Sequence, residues 1–385
     1  MLATHPIQYH APLFRALAAD PRIDLRVFFA HRPTANERGV GFGVPVDWDI
    51  DLTSGYEHEW LLNVARRPGV GDFGGCDTPG VRERITRGGF DAFLVAGWHA
   101  RSYWQAMGAC RRARVPMLVR GDSQLSPDEP AVKRIVKRIS YPMLVRRFAV
   151  CLAVGRRSEQ YFRHYGARAV IRAPHFVDNA FFAARSEASR CGGESLRRRY
   201  DVPPTALLVL VAGKLQPKKR PLDVLRAAAR ARERADVRVM FAGDGELRAE
   251  CEGAAAQLNV PAYFPGFMNQ TEIPRAYASC DVLVLASDWR ETWGLVVNEA
   301  MACGLPALVS RAAGCEPDLI IEGRTGHGFD SGDIDTLTML MARVAADPAE
   351  RLAIGKRARD HVEKFSVEAA AAGVIEGATR AVSAR

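Results

Sequence analysis

No apolar run in this sequence approaches the roughly 20 residues that a membrane-spanning helix needs. The opening stretch, MLATHPIQYHAP, has no charged segment followed by an apolar one, so the pattern of a secretory leader is absent. The eight cysteines, at 76, 110, 151, 191, 251, 280, 303 and 315, form no CxxC and have no histidine at zinc spacing. That argues against a structural zinc site and predicts reduced, mostly buried thiols in a cytoplasmic protein. There is no internal repeat of solenoid period and no low-complexity segment. The basic stretches lack interleaved aromatics and any nucleic-acid motif, so no nucleic-acid partner is expected. The glycine-rich AGDGELRAECEG (242–253) stops short of a full GxGxxG and lies outside the first strand–helix unit of its half, which makes it a weak dinucleotide signal.

What is present is a chain of 385 residues, 48% hydrophobic and 25% charged, long enough for two ordinary globular domains. The formal net charge of +9 suits anionic partners, and equally suits a chain that uses arginine as its default solvated residue. Strand-like runs alternate with helical patterns throughout. The first half has LRVFFA (25–30), DAFLVAG (91–97), VPMLVRG (115–121), FAVCLAVG (148–155) and AVIRAP (169–174). The second has ALLVLVAG (206–213), VRVMFAG (237–243), DVLVLAS (281–287) and PALVS (306–310). Near-continuous β-rich runs of this kind predict parallel sheets covered by helices on both faces. The polar, glycine-bearing stretch 184–204 marks a junction. The expected architecture is α/β: a Rossmann-like domain at 1–185, a linker at 186–204, a second Rossmann-like domain at 205–365, and a last helix at 366–385 with a route back to the first domain. Two such doubly wound domains have a cleft between them, and ligands bind at the carboxyl ends of the strands.

ETWGLVVNEAMACGLP (291–306) carries two glutamates, Glu291 and Glu299, separated by a glycine-containing turn. Residues 295–303 are good helix material, and Gly304 with Pro306 stops the helix. A helix start after a strand offers unpaired N–H groups to a phosphate. Helical side chains lean toward the N-terminus, so Glu299 can reach back to a ligand held there. A carboxylate beside a phosphate is useful to hydroxyl donors such as a ribose or a sugar, and Glu291 can hold a second set. Two unremarkable surface glutamates would leave the same trace. After the first strand of this half, AGKLQPKKRPLDVLRAA (212–228) places Lys214 and Lys219 in a proline-containing loop, where two ammonium groups can clamp a diphosphate leaving group. Lys218 and Arg220 read as solvated.

Taken in order from Gly213 to Phe329, GKLxxxK, AGDGELR, YFPGFMNQTEIPRAYASCDVLVLAS, ExxxxxxxE, EAMACGLPALVS and GCEPDLIIEGRTGHGF resemble a family-4-type retaining glycosyltransferase of the GT-B fold. The resemblance implies that Lys214 and Lys219 bind the donor diphosphate, Glu299 the ribose hydroxyls and Glu291 the transferred sugar. It implies that the backbone of Gly294, Leu295 and Val296 faces phosphates and sugar, and that Phe267 and Met268 line the base pocket. It further implies transfer of a hexose from a nucleotide-diphosphate sugar to a glycan or lipid-linked glycan, in polysaccharide biosynthesis, with retention, no metal and no cofactor. The DxD-like strings DWDID (47–51) and DID (333–335) follow no strand of a nucleotide-binding unit and read as incidental.

The first half departs from the family. ATHPIQYHAPLFRAL (3–17) lacks the Gly-Gly loop that relatives carry after their first strand, leaving Gln8 or the helix start near Ala11 for that role. LVRGDSQ replaces the usual His, so Arg120, Asp122 and Ser123 are acceptor-orienting candidates, or a local salt bridge at a glycine turn. His99 is a secondary candidate. Residues 131–157 hold eight basic and no acidic residues, with Val132, Ile135, Val136 and Ile139 as an apolar stripe. Such a helix can dock on anionic lipid at the inner face of a membrane, or pack on its own sheet. Two other readings compete with the transferase: a basic membrane- or polyanion-binding module with a dead site, and a nucleotide-sugar-modifying enzyme of the same fold.

Overall fold

The structure, a computed structural model, describes residues 1–192 and 195–384; positions 193 and 194 of the expected linker and position 385 of the expected last helix lie outside the described residues. Two parallel sheets organise the chain. The first holds β1 (Leu2–Ala3), β2 (Arg26–Phe29), β3 (Glu57–Trp60), β4 (Phe93–Val95), β5 (Met117–Gly121), β6 (Val150–Ala153) and β7 (Val170–Arg172), in the order β3-β2-β1-β4-β5-β6-β7. The second holds β8 (Leu207–Ala212), β9 (Val237–Ala242), β10 (Ala262–Gly266), β11 (Val282–Leu285), β12 (Ala307–Ser310) and β13 (Gly326–Phe329), in the order β10-β9-β8-β11-β12-β13. Central strands such as β6 and β8 are buried along their whole length, which is why their sequences run apolar without alternation. With two Rossmann-like sheets and helices between successive strands, the fold is α/β of the GT-B class.

Each of the nine strand-like runs contains a strand. The four strands without such a run sit at a terminus or an edge, or carry glycine. β3 is the polar EHEW at one edge of the first sheet, and β10 contains Pro265 at an edge of the second. β13 reads GHGF, yet it is wholly buried, and a Cβ on Gly326 would stand 2.2 Å from the Ala307 carbonyl oxygen of its neighbour β12.

The chain forms two compact units: residues 1–38, 51–175 and 367–385 in one, and residues 39–50 and 176–366 in the other. This differs from a first domain drawn as 1–185 in two places. Residues 176–185 belong to the second unit because helix Asn179–Cys191, capped by Asp178, packs there. Phe182 meets the Tyr277 ring at 6.3 Å, and Asn179 Nδ2 donates to the Val362 carbonyl. The polar stretch that suggested a linker is partly the outer face of this helix. Residues 39–50 leave the first unit as a strap between β2 and β3. The last helix, Val367–Ser383, lies on the first sheet, where a Cβ on Gly373 would stand 2.1 Å from the Arg172 carbonyl oxygen.

Candidate functional site

In a doubly wound sheet the ligand crevice opens where strand order reverses, outside the carboxyl ends of the strands. In the second sheet that point lies between β8 and β11. The loop after β8 runs through a short 3₁₀ turn, Pro217–Lys219, and ends at Arg220, whose φ of 51° is held by an ion pair with Asp223. It is tied to the loop after β11 by the Asp288 N–H donating to the Lys218 carbonyl at 2.9 Å. This brings Lys219 Nζ within 2.5 Å of Glu291 Oε2. Lys218 Nζ stands 3.8 Å from the same oxygen, so the side chain expected to be merely solvated takes part. Ser287 Oγ donates to Glu291 Oε2 at 3.4 Å. Glu291 is 8% exposed, and its backbone carbonyl accepts from the Gly314 N–H at 3.0 Å.

The chain then passes Gly294 at φ 107°, where a Cβ would lie 2.5 Å from Leu285 Cδ2. Only glycine satisfies both the backbone conformation and the space. Helix Val296–Ala302 follows, with Leu295 at its N-cap. Glu299, one turn in, is 3% exposed, and Tyr277 Oη donates to its Oε2 at 2.5 Å. A hydroxyl–carboxylate bond this short belongs to the strong class and fixes the carboxylate. Tyr277 comes from helix Ile273–Ser279 and is fully buried. Nothing in local spacing singles it out, and sequence reasoning missed it.

Glycines also set the approach of the β8 and β9 loops. A Cβ on Gly243, at φ 152°, would stand 2.0 Å from the Gly213 carbonyl oxygen. The AGDG string therefore serves backbone contact, with Asp244 paired to Arg248 at 2.7 Å. Lys214, beside Gly213, donates from Nζ to the Val40 carbonyl at 2.5 Å and lies 4.9 Å from the centre of the Phe42 ring. Burial, and then the charges of Lys218 and Lys219, hold its ammonium pKa below the ordinary lysine value. Phe267, the expected base-pocket residue, meets Phe42 edge-on at 4.8 Å and Trp48 at 6.3 Å. A pocket of about 480 Å³ is lined by Gly41, Phe42, Gly43 and Val44 of the strap and by Gln216, Asp244, Gly245 and Glu246. The second unit thus gathers Glu291 with Lys219, Glu299 with Tyr277, and Lys214 with the strap, all on loops or helix starts beyond the strand ends.

In the first unit strand order reverses between β1 and β4. His5 and His10 follow β1, His99 follows β4, and Arg120 and Asp122 lie at the end of β5. Arg120 is buried and donates to the Pro174 carbonyl at 3.0 Å, with His175 Nδ1 at 3.5 Å. Burial lowers its pKa to about 10, against the opposing pull of Asp122. Asp122 Oδ2 stands 4.0 Å from His175 Nε2. The His99 ring packs edge-on against Tyr103 at 5.4 Å, and burial lowers its pKa. Burial also takes His5 to about 4, helped by His31, and His10 to about 3, helped by Arg120 and His175. Arg120, Asp122 and His175 thus form one group, which His10 joins through their charges. His175 carried no sequence signal because it is far along the chain.

Among the described residues no cluster of three or more His, Cys, Asp or Glu is placed to hold a metal ion, and no helix is long and apolar enough to cross a membrane. The DxD-like strings have local jobs. Asp49 accepts from the Thr271 N–H at 3.0 Å, and Asp333 caps helix Ile334–Ala346.

Residues 194–361 match the sequence model described as glycosyl transferases group 1. The chain is 40% identical over 138 residues to a sulfoquinovosyl transferase of Arabidopsis thaliana, covering 35% of this chain and 26% of that protein. It is 29% identical over 299 residues to a D-inositol 3-phosphate glycosyltransferase of Streptomyces bingchenggensis, covering 73% of this chain and 63% of that one. The chain therefore spans less than two thirds of the length of these relatives. Among solved structures it is similar to Anabaena HepE in complex with UDP and glucose, with a TM-score of 0.70, 19% identity and 97% of each chain covered. A glycosyltransferase from Rickettsia africae gives a TM-score of 0.72 at 13% identity, with 99% of this chain and 97% of that one covered.

Proposed function

Residues 194–361 match the glycosyl transferases group 1 model, and from that premise we propose that the chain is a member of that family and transfers a hexose from a nucleotide-diphosphate sugar to a glycan or lipid-linked glycan. One observation carries the reading: at the β8/β11 reversal the lysine loop meets Glu291 while Glu299 is locked by Tyr277 one turn into the following helix. Lysines beside a diphosphate supply counter-charge as the leaving group gains negative charge, without a metal or cofactor. The two carboxylates then take hydroxyls, Glu299 those of the ribose and Glu291 those of the sugar, with the backbone of Gly294, Leu295 and Val296 toward the phosphates. Phe267 serves the base.

On this reading the reaction retains configuration. The bond from the sugar C1 to the diphosphate oxygen breaks, a bond from C1 to the acceptor oxygen forms on the same face, and the acceptor proton passes to the departing diphosphate. His99, Arg120 and Asp122 are assigned to orient the acceptor hydroxyl. Anabaena HepE, solved with UDP, makes UDP the first donor nucleotide to test. We expect UDP to raise the melting temperature by mass action, and Glu299→Ala or Lys219→Ala to abolish that shift and transfer while far-UV circular dichroism stays unchanged. Near-normal turnover in both variants sinks the site assignment.

A second observation supports a peripheral position on an anionic membrane surface. Helix Ala131–Val145 turns Val132, Ile135, Val136, Ile139 and Met143 outward on one face, each 57% to 74% exposed, while Leu144 and Val145 are buried behind them. Exposed Lys133, Arg134, Arg138, Arg146 and Arg147 accompany that stripe. An apolar stripe with basic neighbours matches an anionic bilayer surface, where the aliphatic chains enter the acyl boundary and the cations meet phosphates. Sedimentation with phosphatidylglycerol vesicles should be salt-sensitive and lost in Ile135→Glu/Ile139→Glu. Equal recovery of both proteins in the pellet removes this part of the proposal.

A further inference from the structure

The strap at residues 39–50 has no counterpart in the reading above, yet it touches three parts of the proposed donor site. Its far end is anchored: Asn269 Nδ2 donates to the Asp47 carbonyl at 2.6 Å, and the Thr271 N–H and hydroxyl both donate to Asp49 Oδ2. From its two ends, Phe42 and Trp48 flank Phe267. At its near end Gly41, at φ 86°, passes so close to the β8 loop that a Cβ would lie 2.8 Å from Gln216 Nε2 and 2.9 Å from Lys214 Cδ. That approach delivers the Val40 carbonyl and the Phe42 ring to the Lys214 ammonium.

The two lysines of the site are held differently. Lys219 has a carboxylate at 2.5 Å, whereas Lys214 is met by a neutral carbonyl and a ring face. A phosphate oxygen is a stronger partner for an ammonium than either, because both ends of the bond are then charged. Val40 takes one of the ammonium's three N–H donors and the Phe42 ring covers another side, so a phosphate oxygen gains full access to Lys214 only when the strap withdraws. We infer that residues 39–50 form a latch that competes with the donor diphosphate for Lys214. The inference rests on the donor reading of the second unit and adds a regulatory contact within it. Donor affinity is set by the diphosphate's own contacts and also by the fraction of molecules in which the strap has let go.

The test uses the full chain and UDP as the probe. Phe42→Ala removes the ring from the ammonium. Asp49→Ala loosens the anchored end and touches neither Lys214 nor the pocket. Both should bind UDP about two- to fivefold more tightly than the unaltered protein, the scale of one lost cation–π contact. Amide exchange in residues 39–50 should speed up when UDP binds. That direction is opposite to the protection an ordinary ligand contact gives. Unchanged or weaker UDP binding in both variants, with slower exchange of the strap on binding, makes the strap a wall of the donor site and overturns the latch. No UDP binding by any of the three proteins overturns the UDP donor reading and the latch together.

Discussion

Removing the Tyr277 hydroxyl tests whether Glu299 is a held ligand or a bystander. Tyr277→Phe keeps the ring, which is fully buried, and deletes only the donor 2.5 Å from Glu299 Oε2. A buried carboxylate that loses such a donor costs about 1.5–3 kcal/mol, the range for hydrogen bonds to charged groups. For a unit of this size each kcal/mol moves the midpoint by roughly 2–4 °C, so a fall of about 3–12 °C is expected by scanning calorimetry. Calorimetric titration with UDP and with its 2′,3′-dideoxy analogue then reads the function. If Glu299 takes the ribose hydroxyls, the parent protein should prefer UDP by at least about tenfold, the scale of one well-made polar contact. The variant should lose much of that preference and keep its affinity for the dideoxy analogue. A midpoint within about 1 °C of the parent, with the same preference, would show that the bond does not position Glu299.

Two further outcomes follow from the geometry. Gly294→Ala should cost on the order of 1–3 kcal/mol, because its φ of 107° is strained for any side chain and the new Cβ lands 2.5 Å from Leu285 Cδ2; urea titration with an unshifted midpoint would contradict the packing. Acid should also weaken the fold: with folded pKa values lowered to about 4 and about 3, His5 and His10 stay neutral while the unfolded chain takes up protons from about 6.5 downward. Stability is then full above about pH 6.5 and falls as pH drops, by about 1.4 kcal/mol per pH unit for each histidine, until His5 and then His10 titrate. His10→Gln should flatten the decline in melts taken between pH 7 and pH 5, and an unchanged slope would refute the cause.

The second unit was readable because its chemistry is written in short stretches. Lys214 and Lys219 lie in one loop, Glu291 and Glu299 in one turn and helix, and each stretch follows an apolar run that announces a buried strand. What that reading could not supply is cross-chain support. Tyr277 reaches Glu299 from a different helix, and Phe42 reaches Lys214 from far earlier in the sequence. Glycine carried little signal for a physical reason: in β13 and in AGDG it marks close backbone approach, which a pattern of apolar residues cannot reveal. The first unit was harder still. Arg120 and Asp122 share β5's end, but His10 and His175, whose charges and contacts act on them, come from segments far apart in the chain.

Charge arithmetic ties the two lysine environments together. Lys218 and Lys219 meet Glu291 across the β8 and β11 loops and their charges act on Lys214, so these four side chains sum to 3 − 1 = +2. A nucleotide sugar carries one negative charge on each of its two bridging phosphates, which this excess balances. Glu299, which accepts from the Tyr277 hydroxyl one turn into the next helix, is counted apart from these four. The division has a consequence for the proposed chemistry. Replacing Glu291 by Gln leaves the cations without that counter-charge and should tighten binding of the product diphosphate while slowing transfer of the sugar to the acceptor. Replacing Glu299 by Gln leaves the sum untouched and should weaken both nucleotide and donor. Steady-state kinetics with UDP as product inhibitor separates the two, because Glu291→Gln should lower the inhibition constant and Glu299→Gln should raise it. The same direction in both variants would mean that the carboxylates share one role.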